Sequence, residues 1–187
     1  MKTVKVGLSS LGPVMFNAFR GQEQIPPERK LHYGQDGKTL ILPVPNILGF
    51  LTSTTVGRCC VNTFVPPKQR PAVKAEVMAS VVVRDLEVPL LDNGKPITLT
   101  PGEWTDKVRI DARGAQASKT SRDIVLRPVI EHPWAVSFTL LINETDYVTS
   151  ARMREWFERG GIVVGFGAFR PFFGKFEVIE WAETKSD

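Results

Sequence analysis

Residues 160–176 read Gly-Gly-Ile-Val-Val-Gly-Phe-Gly-Ala-Phe-Arg-Pro-Phe-Phe-Gly-Lys-Phe, with five glycines, five phenylalanines and two cations. Glycines at 165, 167 and 174 permit positive φ and close approach of a ligand backbone. Unpaired N–H groups in such a loop can hold phosphate oxygens. Arg170 and Lys175 add positive charge, and Phe169 or Phe172 offers a stacking face. Base–aromatic stacking is worth about 1–3 kcal/mol per base in single-strand binders. Two nucleotide loops fail on spacing. A P-loop needs four residues between its glycines and Ser or Thr after the lysine; here six residues separate Gly167 from Gly174, and Phe176 follows Lys175. The dinucleotide fingerprint needs a third glycine where Arg170 stands. The competing reading is a glycine-rich turn between two strands, with Phe166, Phe172 and Phe176 in the core.

Charge is clustered elsewhere. Lys and Arg number 24 against 20 Asp and Glu, a net of +4 over 187 residues. Residues 58–75 hold Arg58, Lys68, Arg70 and Lys74 with no acid. Residues 107–128 hold Lys107, Arg109, Arg113, Lys119, Arg122 and Arg127 against Asp111 and Asp123. Such clusters suit a surface that tracks phosphates. They equally suit solvated loops that protect a sheet edge.

Catalytic chemistry has little to build on. His32 and His132 are the only histidines. An RNA-cleaving pair with Tyr33 or a lysine is the enzymatic alternative, and a surface histidine is the stronger reading. Neither an HExxH motif nor a nucleophile elbow occurs. The two cysteines, Cys59 and Cys60, are adjacent, which gives neither a disulfide framework nor a zinc knuckle. We therefore expect a non-enzymatic binder with no cofactor and no metal. Reduced cysteines, the lack of a signal-peptide pattern and the lack of a long apolar run lead us to expect a cytoplasmic protein without a membrane span.

The elements that must position these residues follow from periodicity. Apolar residues are 42% of the chain, enough for one real core. Residues 2–8 alternate as a strand, and 39–42 look like a short one. Asn46 is a fair N-cap for a helix to about 57. The prolines of 62–74 suggest an extended connection, and Val77, Ala79, Val81 and Val83 a strand within 75–90. Residues 107–111 and 123–127 read as hairpin arms around a long basic tip. Residues 136–142 form a strand and 149–159 a helix, stopped at Gly160-Gly161. Strands follow at 162–167 and 175–181. The predicted class is α+β, an antiparallel sheet with two helices on one face, for which a ferredoxin-like (RRM-like) arrangement is one solution. We expect one domain over 1–187, a strand-rich insertion at 58–128 carrying the basic hairpin, and a frayed tail at 182–187.

The Gly-Phe-Gly167, Arg170 and Gly174-Lys175-Phe176 pattern before a closing strand resembles the C-terminal glycine-rich loop of the RAMP superfamily, the RNA-binding proteins of CRISPR systems. Leu42-Pro43-Val44-Pro45-Asn46-Ile47 is similar to the helix entry of its backbone-type members. The ending also resembles small proteins of phages and other mobile elements. The resemblance implies a ferredoxin-like core, single-stranded RNA as ligand, and assembly of several copies along one strand.

Together these readings predict a single-stranded nucleic-acid binder, RNA or DNA, with a homo-oligomer or filament as a further expectation. Arg109, Arg113, Lys119 and Arg122 would grip phosphates, and Arg58, Lys68 and Arg70 would extend the track. Gly165, Gly167, Arg170, Gly174 and Lys175 would face the backbone, with Phe169 or Phe172 stacking. The alternative is a phage structural or assembly protein, or an inhibitor that binds a protein partner.

Overall fold

The computed structural model describes residues 1–17, 25–53, 58–116 and 122–185, with the side chains of 114–116, 122–123 and 185 left aside. It shows an α+β protein with two antiparallel sheets and, among the described residues, four α-helices. Strand β1 (Lys2–Ser10) runs through the middle of the larger sheet. Its alternate residues Val4, Val6 and Leu8 are buried, as the period-two pattern requires.

Two helical crossovers interleave around β1. Helices α1 (Val44–Thr52), α2 (Cys60–Phe64) and α3 (Arg70–Ser80) connect β1 to β3 (Val81–Val83). Helix α4 (Ser150–Val163) connects β8 (Ala135–Ile142) to β9 (Phe176–Lys185). Strand β8 pairs antiparallel with both β1 and β3, and β1 pairs antiparallel with β9. The resulting order is β3–β8–β1–β9, so each crossover joins two parallel strands that flank a third. At its other end β8 also meets β4 (Leu91–Asp92), which turns through Asn93-Gly94 into β5 (Lys95–Pro96). Both turn residues have positive φ, 49° and 77°, the geometry a two-residue hairpin favours. The helices meet the sheet through aromatic rings: Phe50 of α1 and Phe157 of α4 lie 5.1 Å apart, against Phe138, Phe176 and Trp181.

A smaller sheet, β2 (Val14–Met15), β7 (Arg122–Ile130) and β6 (Val108–Gln116), continues from the end of the β1–β8 pair. Strands β6 and β7 form a hairpin whose arms are several residues longer than periodicity suggested. Its turn, residues 117–121, lies outside the described residues.

Several expected elements differ. The proline-rich stretch 62–74, apart from Val65 and Pro66, and the start of 75–90 are helical, not extended. Pro71 sits in the first turn of α3, where a missing N–H costs nothing. Val73 and Val77, four apart, turn to the core. The valine alternation becomes a strand only from Val81. Helix α1 begins at Val44 behind Pro43, two residues before Asn46, and ends at Thr52; residues 54–57 lie outside the described residues. Residues 39–41 make isolated bridges in place of the expected strand at 39–42. Helix α4 does not stop at Gly160-Gly161 but runs to Val163, which removes the expected strand at 162–167. A Cβ on Gly160 would lie 2.7 Å from the Phe50 ring and 2.8 Å from Cys60 Sγ. Glycine is there because two helices approach closely, not because the helix ends. Residues 58–83, expected within an insertion, supply α2, α3 and β3, with Cys60, Val61, Val73 and Val77 in the main core. Strand β9 stays paired with β1 as far as Lys185, through most of the tail expected to fray. Among the described residues no helix is long and apolar enough to cross a membrane.

Candidate nucleic-acid interface

The two sheets meet where β1 bends into β2 and β7 into β8. Ser10 fixes this bend. Its hydroxyl accepts from the Trp134 N–H at 2.7 Å and lies 2.8 Å from His132 Nδ1. The Trp134 indole donates to the Gly12 carbonyl at 2.8 Å. The glycine-rich loop then docks on the bent ribbon. Ala168 N–H donates to Met15 O, Gly174 N–H to Pro13 O, and Leu11 N–H to Lys175 O, each at 2.8 Å. The loop is thereby held against the root of the β6–β7 hairpin, with Phe173 packed on Met15 and Val129.

The hairpin has two chemically different faces because side chains alternate along each strand. Register places Ile110 opposite Pro128 and Ala112 opposite Leu126 on one face, which is apolar. On the other, Arg109 faces Val129, Asp111 faces Arg127, and Arg113 faces Val125. This second face meets the glycine-rich loop. Arg113 donates to Asp111 through Nε at 2.6 Å and Nη2 at 3.2 Å, and Arg109 Nη1 adds a bond at 3.3 Å. Arg109 Nε also pairs with Glu131. The Arg113 guanidinium lies over the rings of Phe169, at 5.5 Å, and Phe173, at 5.1 Å. The Arg127 guanidinium lies over Phe169 from the β7 side at 5.6 Å. These distances are within cation–π range.

Arg127 differs from its neighbours. Its side chain is only 7% exposed, and its Nη1 has no hydrogen-bond partner among the described residues. Asp111, directly across the hairpin, is already engaged by Arg113 and Arg109. Burial pushes the Arg127 guanidinium below its ordinary pKa; Asp111 opposes this and Arg113 adds to it. Buried Lys30 donates to the Leu126 carbonyl at 2.6 Å, and its pKa is lowered by burial and by the charge of Arg127. The bond from Arg113, against some cost of burial and with help from Arg109, holds the Asp111 carboxyl below the usual carboxylate range.

The expected site residues fall into three groups. Arg109, Arg113 and Phe169 come together at the hairpin root, and Phe172, 82% exposed, projects from the same loop. Arg122 lies on β7 opposite Gln116, and Lys119 lies outside the described residues. The second group serves the fold. Gly165, Gly167 and Gly174 all have positive φ, but they face protein and not solvent. Gly165 and Gly174 are buried, and a Cβ on Gly167 or Gly174 would overlap the Met15 or Phe166 carbonyl. Arg170 is half-buried beside the Cys59 and Cys60 thiols, with its pKa lowered by burial. Lys175 is half-buried at the end of the loop. The third group, Arg58, Lys68 and Arg70, belongs to the helical layer. Arg58 and Lys68 are exposed there, and Arg70 Nε donates to the Val65 carbonyl at 2.9 Å.

Arg127, Lys30 and Phe173 are site residues that sequence reasoning missed. One signal was present: Arg127 interrupts the apolar run Ile124-Val125-Leu126 at the position paired with Asp111. Reading it required the hairpin register. Among the described residues no group of three or more His, Cys, Asp or Glu could hold a metal ion.

No protein-family model matches this chain, and no curated protein matches it significantly.

Proposed function

We propose that the protein binds single-stranded nucleic acid, RNA or DNA, along the charged face of the β6–β7 hairpin and the outer edge of the glycine-rich loop. The observation that carries this reading is the meeting of Arg113, Arg127 and Phe169 next to the exposed ring of Phe172. Cations for phosphates and an open aromatic face for a base then lie within one surface. The strand order β3–β8–β1–β9 with two interleaved crossovers supports a ferredoxin-like (RRM-like) core. That core agrees with the resemblance to the RAMP superfamily, whose ligand is single-stranded RNA. Binding is a backbone-and-stacking function without a catalytic step, and assembly of several copies on one strand extends it.

Fluorescence anisotropy with a labelled single strand, as RNA and as DNA, tests the proposal at low and physiological salt. Wild type should bind, and affinity should fall steeply with salt through counterion release. The Arg109→Ala/Arg113→Ala variant, which removes two arginines of the charged face, should lower the slope of log affinity against log salt by about two phosphates' worth. Absence of binding at low salt would overturn the reading.

A protein partner is the second reading, favoured by the opposite face of the hairpin. Ile110, Ile124 and Leu126 are exposed there. A groove of about 350 Å³ lined by Pro26, Pro27, Ile124 and Leu126 adjoins them. Pull-down with wild type and with Ile124→Asp/Leu126→Asp tests it, since only capture lost in that variant supports this face.

A further inference from the structure

The geometry points to a phosphate slot at the hairpin root, in which Arg127 and Arg113 together bind one backbone phosphate and Phe169 covers it. The inference rests on the nucleic-acid reading above and narrows it to one contact.

A guanidinium removed from water without a partner is unfavourable, and proteins normally pair such groups. Arg127 is more than nine-tenths buried, and its Nη1 donor has no hydrogen-bond partner among the described residues. The acid placed to satisfy it, Asp111, is consumed by Arg113 and Arg109. Glu131, on the same face beyond Val129, is paired with Arg109. Three arginines, Arg109, Arg113 and Arg127, therefore share this stretch with Asp111 and Glu131, which are both engaged. The cluster retains positive charge, and an anion is the missing partner. Phosphate fits because guanidinium groups offer fixed pairs of donors to its oxygens.

Phe169 supplies the cover. Its backbone has φ of 58°, a region bulky residues rarely occupy. The turn that holds it there is closed by Phe172 N–H donating to Phe169 O at 3.1 Å. This backbone places the ring over both guanidinium groups while leaving 43% of the residue exposed. The ring separates Arg127 from solvent, and a phosphate enters when it swings aside. Arg113, half-exposed, is the outer contact, and Arg127 the inner one.

The test compares the full-length wild type with Arg127→Met and Arg127→Lys. Methionine keeps much of the volume and removes the buried charge. If Arg127 is retained for an anion, Arg127→Met should melt at the same temperature or higher. Inorganic phosphate, against chloride at matched ionic strength, should raise the melting temperature of wild type through linkage but leave Arg127→Met unmoved. Equal phosphate responses in the two proteins would overturn the slot. Should Arg127→Met fail to fold, Arg127→Lys carries the same test: lysine keeps the charge and loses the fork, so most of the response should vanish, and a full response overturns the inference.

Anisotropy with the labelled strand separates this inference from the reading on which it rests. Strand affinity should fall about tenfold or more in Arg127→Met. Wild-type strand binding that is unchanged in Arg127→Met overturns the slot and leaves the interface standing. A phosphate response lost in Arg127→Met, in a protein that binds no strand, overturns the nucleic-acid reading and supports the slot as an anion site.

Discussion

One segment uses its phenylalanines in two opposite ways. At the ends of the glycine-rich loop, Phe166 and Phe176 stack at 4.4 Å and pack against Phe50 in the dry core. In its middle, Phe169 meets arginines, and Phe172 meets mostly solvent. The residue type is the same throughout. What differs is what the fold places opposite: helices α1 and α4 for the ends, and the charged face of the hairpin for the middle. An aromatic-rich loop can thus supply both buried anchors and exposed rings, with glycines at the changeover.

The sharpest way to break this comparison is to truncate one ring of each kind. Phe166→Ala opens a cavity in the core and should cost about 3–5 kcal/mol of stability by urea denaturation. Phe172→Ala should change stability by no more than about 0.5 kcal/mol and weaken strand binding by about fivefold or more in anisotropy. If both variants lose stability alike, the division between anchor and surface is wrong.

A smaller effect tests the changeover itself. Gly174 has φ of 76° and its carbonyl accepts from the Phe166 N–H at 2.9 Å. Gly174→Ala should cost about 1–3 kcal/mol, since it adds both left-handed strain and a clash. A neutral result by thermal melting would show that the loop relaxes freely.

The smallest effect is electrostatic. Asp111 has its folded pKa lowered by Arg113 and Arg109. Its contribution to stability is therefore complete above the unfolded value, near about 3.9, and is lost as pH falls through the lower folded value. Asp111→Asn should flatten the acid limb of the stability curve below about pH 4. Glu144 and Glu183, held below the usual carboxylate range by Ser150 and Lys2, keep their own acid dependence in both proteins. Urea midpoints measured across the acid range check the difference. An unchanged acid limb would mean that the Asp111 pairs do not persist in solution.

Legibility in the sequence followed the range of the interaction that decides each element. Strands β1 and β8 and the start of α4 were readable, because Val4, Val6 and Leu8, or Met153, Trp156 and Phe157, carry their own periodicity. Residues 70–83 were not, because Val73, Val77, Val81 and Val83 fit a helix and a strand equally well in part. Contact with the sheet selects the helix as far as Ser80. For the candidate site, Arg109, Arg113 and Phe169 were legible as residue types, whereas Arg58, Lys68 and Arg70 shared their charge but not their location.

By itself the sequence determined the α+β class, the alternating strands, the two basic stretches and a loop rich in glycine. These depend on neighbours a few residues apart, where φ/ψ limits and side-chain periodicity act directly. Only tertiary structure decided which arginines share a surface, which glycines face protein, and that Arg127 is buried with its Nη1 lacking a hydrogen-bond partner among the described residues. Those outcomes hang on register between β6 and β7 and on a loop docked from about forty residues downstream of the hairpin. A one-residue slip in that register would exchange the charged face for the apolar one.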